Sequence, residues 1–438
     1  MKKILLFGAG KSATYLIEYL GALCDEQGWN FIVCDLNMAV ALSKIKMYKN
    51  ANVLPVDVSN DSERNHVVEQ ADIVISMLPP HLHLLVAKDC IFYKKNLLTA
   101  SYIDAEIEKL KDEIAGNELL FLYEMGLDPG IDHMSAMRMI DQIKNDGGEI
   151  TSFISHCGGL ISPKSDDNPW HYKITWNPKN VVLAGKQGAS YLERGKKISL
   201  KYEEVFSMDD TKVNIPGLPE LAFYANRDSL DYIPKYRLHD AKTFIRTTLR
   251  YPPFITGWKK LITMDLVETD DHSEIKNCRT FGDWYNLKKE KFQKAQNENL
   301  KENLFFDDEF NAQLAYLKIS DSTPIPFNEF TSAKLLQYLL ENSLKLNPAD
   351  HDMIVMLHEI EYVKNGHTKW HRSYMVLEGK DPIHTAMAKT VGLPLAIATK
   401  LMMMDKINLR GLHIPVVREI YDPVLEELKS HNICFIDL

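Results

Sequence analysis

The chain has 438 residues, 45% hydrophobic and 25% charged, which is ample material for a large core and roughly two to three domains. A net charge of −9 with no compensating basic tract argues against a nucleic-acid partner, and no uninterrupted apolar run approaches membrane-spanning length. Six cysteines without CxxC spacing, and an N-terminus that passes straight into a strand-like run rather than a signal sequence, set the expectation of a cytoplasmic protein with reduced thiols.

Lys2 to Phe7 reads as a short buried strand that breaks at Gly8-Ala9-Gly10. From Lys11 the period changes: Ala13, Leu16, Ile17 and Leu20 share one helical face, with Gly21 as a break near its end. A second strand, Phe31 to Cys34, closes on Asp35. Strand, glycine turn, helix and strand within about thirty residues is the βαβ unit that binds dinucleotides. In that reading Gly8 permits the tight turn and Gly10 lets backbone N–H groups approach a pyrophosphate. Lys11, Ser12 and Ala13 open the helix whose N-terminus supplies partial positive charge, with Ala13 as the third small residue. Asp35 is placed to accept hydrogen bonds from the adenosine ribose hydroxyls and to repel a 2′-phosphate, which favours NAD. Lys44 and Lys46, further on, leave NADP open.

Further strands are expected at 51–58, 71–80, 96–102 and 119–123, with helical segments between them, as in a doubly wound parallel sheet. Asp57 ends the first of these runs toward the adenine end of a cofactor. Leu78 to His83 and Ala100 to Asp104 fall at the carboxyl edge of the sheet, where such folds place ligands. Glu124 to His133 is the most distinctive stretch: Gly126, Pro129 and Gly130 hold Asp128 in a stiff turn suited to a substrate ammonium, and a helix follows from Ile131.

Beyond Gly147-Gly148 a second, α+β domain is expected. Its strands are read at 150–156, 181–184, 198–200 and 241–249, and Arg227 and Arg246 are cations suited to carboxylates. Residues 261–345 read as a mostly helical subdomain in which Lys288 to Asn303 is a solvated face. Ile354 to Val363 and Lys369 to Leu377 alternate like paired strands about a hairpin turn at Lys364-Asn365-Gly366-His367. The helical region after His384 is expected to pack on the first domain.

The motifs Gly8-Ala9-Gly10, Met77 to Pro80, Gly126 to His133, Cys157 to Leu160, Asp167 to Pro169, Arg246 to Tyr251 and Ala386 to Lys389 occur in order. Together they resemble the glutamate-forming saccharopine dehydrogenases, also called saccharopine reductases, nearly end to end. The resemblance implies a Rossmann domain over 1–127 completed by about 390–438, a substrate domain over 128–260 and 346–389, and a helical subdomain over 261–345. It implies reversible oxidation of saccharopine at its secondary amine, an imine that water cleaves to glutamate and 2-aminoadipate 6-semialdehyde, and a homodimer. Substrate contacts carried over from the family fall at Ser101, Tyr102, Asp128, Arg227 and Arg246, Thr247 and Thr248. Nicotinamide-end contacts fall at Leu78, Asp128, Cys157 and Lys173. Proton transfers need an acid or base, for which Asp128, Tyr102 and His156 are the candidates, beside His133.

Two departures stand out. Fungal members are NADP-dependent and carry an Arg after the second strand, where this chain has Asp35; they also read Ser-Tyr-Cys-Gly-Gly where this chain has Ser155-His156-Cys157-Gly158-Gly159. An imine reductase resembling carboxynorspermidine dehydrogenase, and a nucleotide-sensing Rossmann protein without activity, are the alternatives. No metal-binding motif is present in the sequence.

Overall fold

The computed structural model describes residues 1–208, 211–295 and 305–438. The chain divides into two units, Met1–Glu149 with Ile383–Ile436, and Ile150–Pro382 with Asp437–Leu438.

The first unit is built on a parallel sheet. Its strands are β1 (Lys3–Phe7), β2 (Asn30–Cys34), β3 (Ala51–Leu54), β4 (Ile73–Ser76), β5 (Asn96–Thr99), β6 (Leu120–Leu122) and β15 (Gly411–His413), in the spatial order β15-β6-β5-β4-β1-β2-β3. β1 is buried at Ile4, Leu5, Leu6 and Phe7, as a strand covered by helices on both faces must be. The order reverses between β1 and β4, which makes the carboxyl ends of these two strands the ligand crevice of such a sheet.

Three local differences from the sequence reading have physical causes. The first helix runs from Thr14 to Gln27, after a 3₁₀ turn at Lys11–Ala13, and ends at the left-handed Gly28; Gly21 lies inside it against the Tyr48 ring. β3 stops at Leu54, because Pro55 cannot donate to a ladder, and Asp57 lies in the following turn. The short β15 pairs with β6 through Gly411, Leu412 and His413, too few residues to show a period of their own.

Helix Ile131–Asn145 belongs to this unit, so the chain leaves it after Glu149 rather than at 127. It packs against helix Arg418–Ser430, where the Tyr421 hydroxyl donates to Asp141 Oδ2 at 2.6 Å. Helix Ala386–Met403 packs on Thr14–Gln27. Against the sequence reading, it is long and apolar enough to cross a membrane by composition, but most of it is buried, as in a core helix.

The second unit carries a mixed sheet. Its strands are β7 (Glu149–Ile161), β8 (Ala189–Glu193), β9 (Lys196–Leu200), β10 (Lys212–Val213), β11 (Leu221–Ala225), β12 (Thr243–Arg250), β13 (Asp352–Lys364) and β14 (His367–Glu378). The order is β10-β11-β12-β7-β13-β14, with β8 on β12 and β9 on β8. β12 is parallel to β7 and antiparallel to β11, while β13 and β14 form a hairpin closed at Asn365 and Gly366.

Residues 181–184 are not a strand: Asn177 caps a short helix, Pro178–Val182, and takes priority over the apolar run that follows. Helices Pro252–Thr263, Phe281–Ala295, Asp308–Tyr316 and Ser332–Ser343 share one apolar cluster with Tyr224 and Ile245 of the sheet. Helical residues 261–345 therefore belong to the same unit as the sheet. Lys288 is not on a solvated face but buried against Asp271 at 2.8 Å; residues 296–303 of that charged run lie outside the described residues.

Candidate active site

At the end of β1, Gly8 has φ +97°, and a Cβ there would stand 2.8 Å from the Met77 carbonyl oxygen. The turn is therefore closed to any other residue. A Cβ on Gly10 would meet nothing within 4 Å, so open space stands beside the backbone that leads into the Lys11–Ala13 turn, while Ala13 is buried. Asp35 accepts from Ala9 N at 2.7 Å through Oδ2 and from Asn37 N at 2.7 Å through Oδ1. These residues fit a dinucleotide: open space at the glycine turn, and a fixed carboxylate with lone pairs left for ribose hydroxyls.

Lys44, one of the two lysines that leave NADP open in the sequence, folds back over the same loop and donates to Ala9 O at 3.0 Å and Gly10 O at 2.6 Å. Burial brings its ammonium down to about 8, against the pull of Asp35 and Glu18. Asp57 accepts from the Ser59 hydroxyl and N–H within its own turn, which holds its carboxyl below the usual range. Leu78 is half-buried just beyond β4.

Ser101 is fixed at three atoms. Its N–H donates to Thr99 Oγ1 at 3.2 Å, its carbonyl accepts from Glu124 N at 3.0 Å, and its hydroxyl lies 2.7 Å from His83 Nε2. The Tyr102 hydroxyl donates to Asp128 Oδ1 at 3.3 Å. Asp128 sits in a stapled turn: Gly126 N donates to Pro129 O, Ile131 N to Gly126 O and Asp132 N to Leu127 O, and the Asp128–Pro129 peptide is cis. Gly130 has φ +147°, and a Cβ there would lie 2.0 Å from Gly126 O. Below the turn, buried His133 lies 2.8 Å from Glu124 Oε2 and 3.5 Å from Asp132 Oδ2, while Glu124 Oε1 accepts from Ile103 N. His133 is thus engaged on both ring nitrogens beneath the turn.

In the second unit, buried His156 meets Thr247 Oγ1 at 2.7 Å through Nδ1 and Glu359 Oε2 at 3.1 Å through Nε2. Arg372 Nε backs Glu359 at 2.8 Å. Burial pushes the Glu359 carboxyl up, but His156 and Arg372 outweigh it, and the net direction is down.

Strand alternation separates the three residues that the resemblance groups together. Thr247 pairs with His156 and shares its face, whereas Arg246 pairs with Ser155, and Thr248 with Cys157. Arg246 is buried with its guanidinium 4.3 Å above the Tyr232 ring. Its N–H donates to Ser229 Oγ and its carbonyl accepts from Asn226 N, so this strand position holds the loop that carries Arg227. Arg227 itself is exposed, at φ +52°.

Cys157 is buried. Lys173 is buried between Asp167 at 2.8 Å and Asp350 at 2.7 Å; burial lowers its pKa, but the two carboxylates outweigh it and raise it overall. Its ammonium is therefore occupied by its own unit. Arg250, the third arginine of this region, is buried near the rings of Tyr172, Phe254 and Tyr224. Among the described residues, no group of three or more His, Cys, Asp or Glu is placed to hold a metal ion.

Two family models match the chain: the saccharopine dehydrogenase NADP binding domain over residues 4–122 and the saccharopine dehydrogenase C-terminal domain over residues 126–433. The mitochondrial alpha-aminoadipic semialdehyde synthase of Rattus norvegicus is 33% identical over 445 residues, 99% of this chain and 47% of that protein. The chain thus spans about half the length of that relative. The saccharopine dehydrogenase [NADP(+), L-glutamate-forming] of Saccharomyces cerevisiae is 33% identical, covering 98% of this chain and 97% of its own length. The apo structure of the Saccharomyces cerevisiae saccharopine dehydrogenase (L-Glu forming) aligns over 100% of both chains, with a TM-score of 0.86 and 30% identity.

Proposed function

This chain belongs to the saccharopine dehydrogenase family, and from that premise we propose that it interconverts saccharopine with L-glutamate and 2-aminoadipate 6-semialdehyde. The observation that carries the reading is the Tyr102–Asp128 pair on its stapled turn beyond the carboxyl edge of the sheet. A carboxylate held in that way can accept the proton of a secondary ammonium and return it as the imine is hydrated or reduced. Tyr102 orients the oxygen that does so.

A nicotinamide cofactor, when bound, supplies the hydride acceptor. The chain's own part is to orient the amine carbon and keep competing water away. Ser101 offers a hydroxyl donor suited to one carboxylate of saccharopine.

For the cofactor we favour NAD. Asp35 is locked by two backbone N–H groups at the place where a 2′-phosphate would need a cation. NADP stands in the names of the matched domain and the fungal relative, and Lys44 beside Asp35 is the group through which it would be admitted here. Calorimetric titration of the cofactor-loaded protein tests the substrate reading. Saccharopine is expected to bind at least about tenfold more tightly than a conjugate lacking one carboxylate. Equal affinity for the two would turn the reading toward another imine substrate.

A further inference from the structure

The structure assigns His83 a part that the reaction outlined above does not use: we propose that it is a positioning residue that fixes the Ser101 hydroxyl as an outward hydrogen-bond donor, aimed at a substrate carboxylate. This rests on the reading that Ser101 touches the substrate.

The placement follows from the sheet. Ser76 and Thr99 are paired at the carboxyl ends of β4 and β5, and Ser101 follows two residues after Thr99. After β4 the chain turns through Pro79 and Pro80 and enters helix His83–Phe92 at His83. The imidazole thereby bridges the ends of two neighbouring strands. Its Nδ1 lies 2.8 Å from Ser76 Oγ and its Nε2 lies 2.7 Å from Ser101 Oγ. The ring is 3% exposed and the Ser76 side chain is fully buried.

Burial brings the imidazole down to about 4, with Asp104 opposing and His81 adding to the effect. At neutral pH the ring carries one N–H. A neutral ring between two hydroxyls has two consistent arrangements. In one, Ser76 donates to Nδ1, Nε2–H donates to Ser101 Oγ, and the Ser101 proton is left for a ligand. In the other the whole chain is reversed, and the Ser101 proton is consumed by the ring. Only the first gives a carboxylate a donor, and an anion beside Ser101 favours it in turn. Because the Ser101 N–H and carbonyl are already held by Thr99 and Glu124, the hydroxyl proton is the one freedom left, and the tautomer of His83 sets it. Ser76, which touches no ligand in this arrangement, supplies the donor that the productive tautomer needs at Nδ1; its hydroxyl can donate or accept, so it permits that tautomer and the anion beside Ser101 selects it.

The test joins a spectroscopic readout to a kinetic one. Nitrogen-15 NMR of histidine-labelled protein is expected to show His83 as the Nε2–H tautomer; the Nδ1–H tautomer in the saccharopine-bound protein would overturn the proposal. Ser76→Ala and His83→Leu are each expected to raise KM for saccharopine about tenfold or more, with kcat and cofactor affinity changed less than about threefold. His83→Gln, which keeps an N–H donor toward Ser101, is expected to recover most of the loss. An unchanged KM in folded Ser76→Ala protein would show a merely structural histidine. The tautomer of the ligand-free protein is measurable whatever the substrate proves to be. An Nε2–H ring in a protein that ignores saccharopine would support the relay while failing the substrate reading, and an Nδ1–H ring there would count against the relay itself.

Discussion

Two buried histidines, one in each unit, stand against a hydroxyl that the family resemblance gives to the substrate, and their far sides differ. His83 has Ser101 on one nitrogen and the uncharged Ser76 on the other. His156 has Thr247 on one and the Glu359 carboxylate, backed by Arg372, on the other. The first pair is a neutral device whose only variable is the direction of its hydrogen bonds. The second is a charged network on a sheet, where removing the half-buried Glu359 leaves buried His156 and half-exposed Arg372 underpaired. The same residue type therefore sets an orientation in one region and holds an element together in the other.

That contrast is sharpened by where changes should hurt. The largest effect belongs to the first region: Asp128→Asn is expected to lower kcat/KM for saccharopine by at least a hundredfold, about 3 kcal/mol of transition-state stabilisation, with the fold intact by circular dichroism. Next, in the second region, Glu359→Gln is expected to cost about 2 kcal/mol in denaturant unfolding, because His156 and Arg372 lose a shared carboxylate. A catalytic defect at full stability in that variant would break the distinction.

The pH dependence of stability should also report on His83. His83 has a folded pKa of about 4 against 6.5 as its ordinary value. The unfolded chain therefore binds more protons between those values, so its contribution is fully present above pH 6.5 and declines as pH falls toward 4. Up to about 3 kcal/mol rides on that window, and His83→Gln is expected to flatten the curve there. The smallest effect lies at the glycine loop: Lys44→Met is expected to weaken NADP binding about threefold to tenfold while changing NAD affinity less, read by fluorescence titration.

Much of this architecture can be read from the chain because its carriers are local. The β1 run, the glycine turn, Asp35, the hairpin at Asn365-Gly366 and the 126–130 turn each state themselves within a few residues. What could not be read is set by partners far apart in sequence. His83 lies in a loop recognisable as a ligand edge, but its partners are 7 and 18 residues away, and Glu359 reaches His156 across 203 residues. Lys44 becomes a neighbour of the cofactor loop only once helix Met38–Ile45 has folded back over it. The family resemblance groups Thr247 with Arg246 and Thr248, whereas the period of two in a strand sends its side chain to the opposite face. Residues 181–184 carry no decisive signal, because an apolar run of four cannot announce whether it is a strand or the end of a capped helix.

The most direct measurement is absorbance at the reduced-nicotinamide band with purified protein and saccharopine, NAD and NADP being supplied in parallel. The expected result is saccharopine-dependent reduction, faster with NAD on the reading of Asp35 proposed above. No reduction with either cofactor, together with no oxidation of the reduced forms when glutamate and the semialdehyde are supplied, would contradict the account.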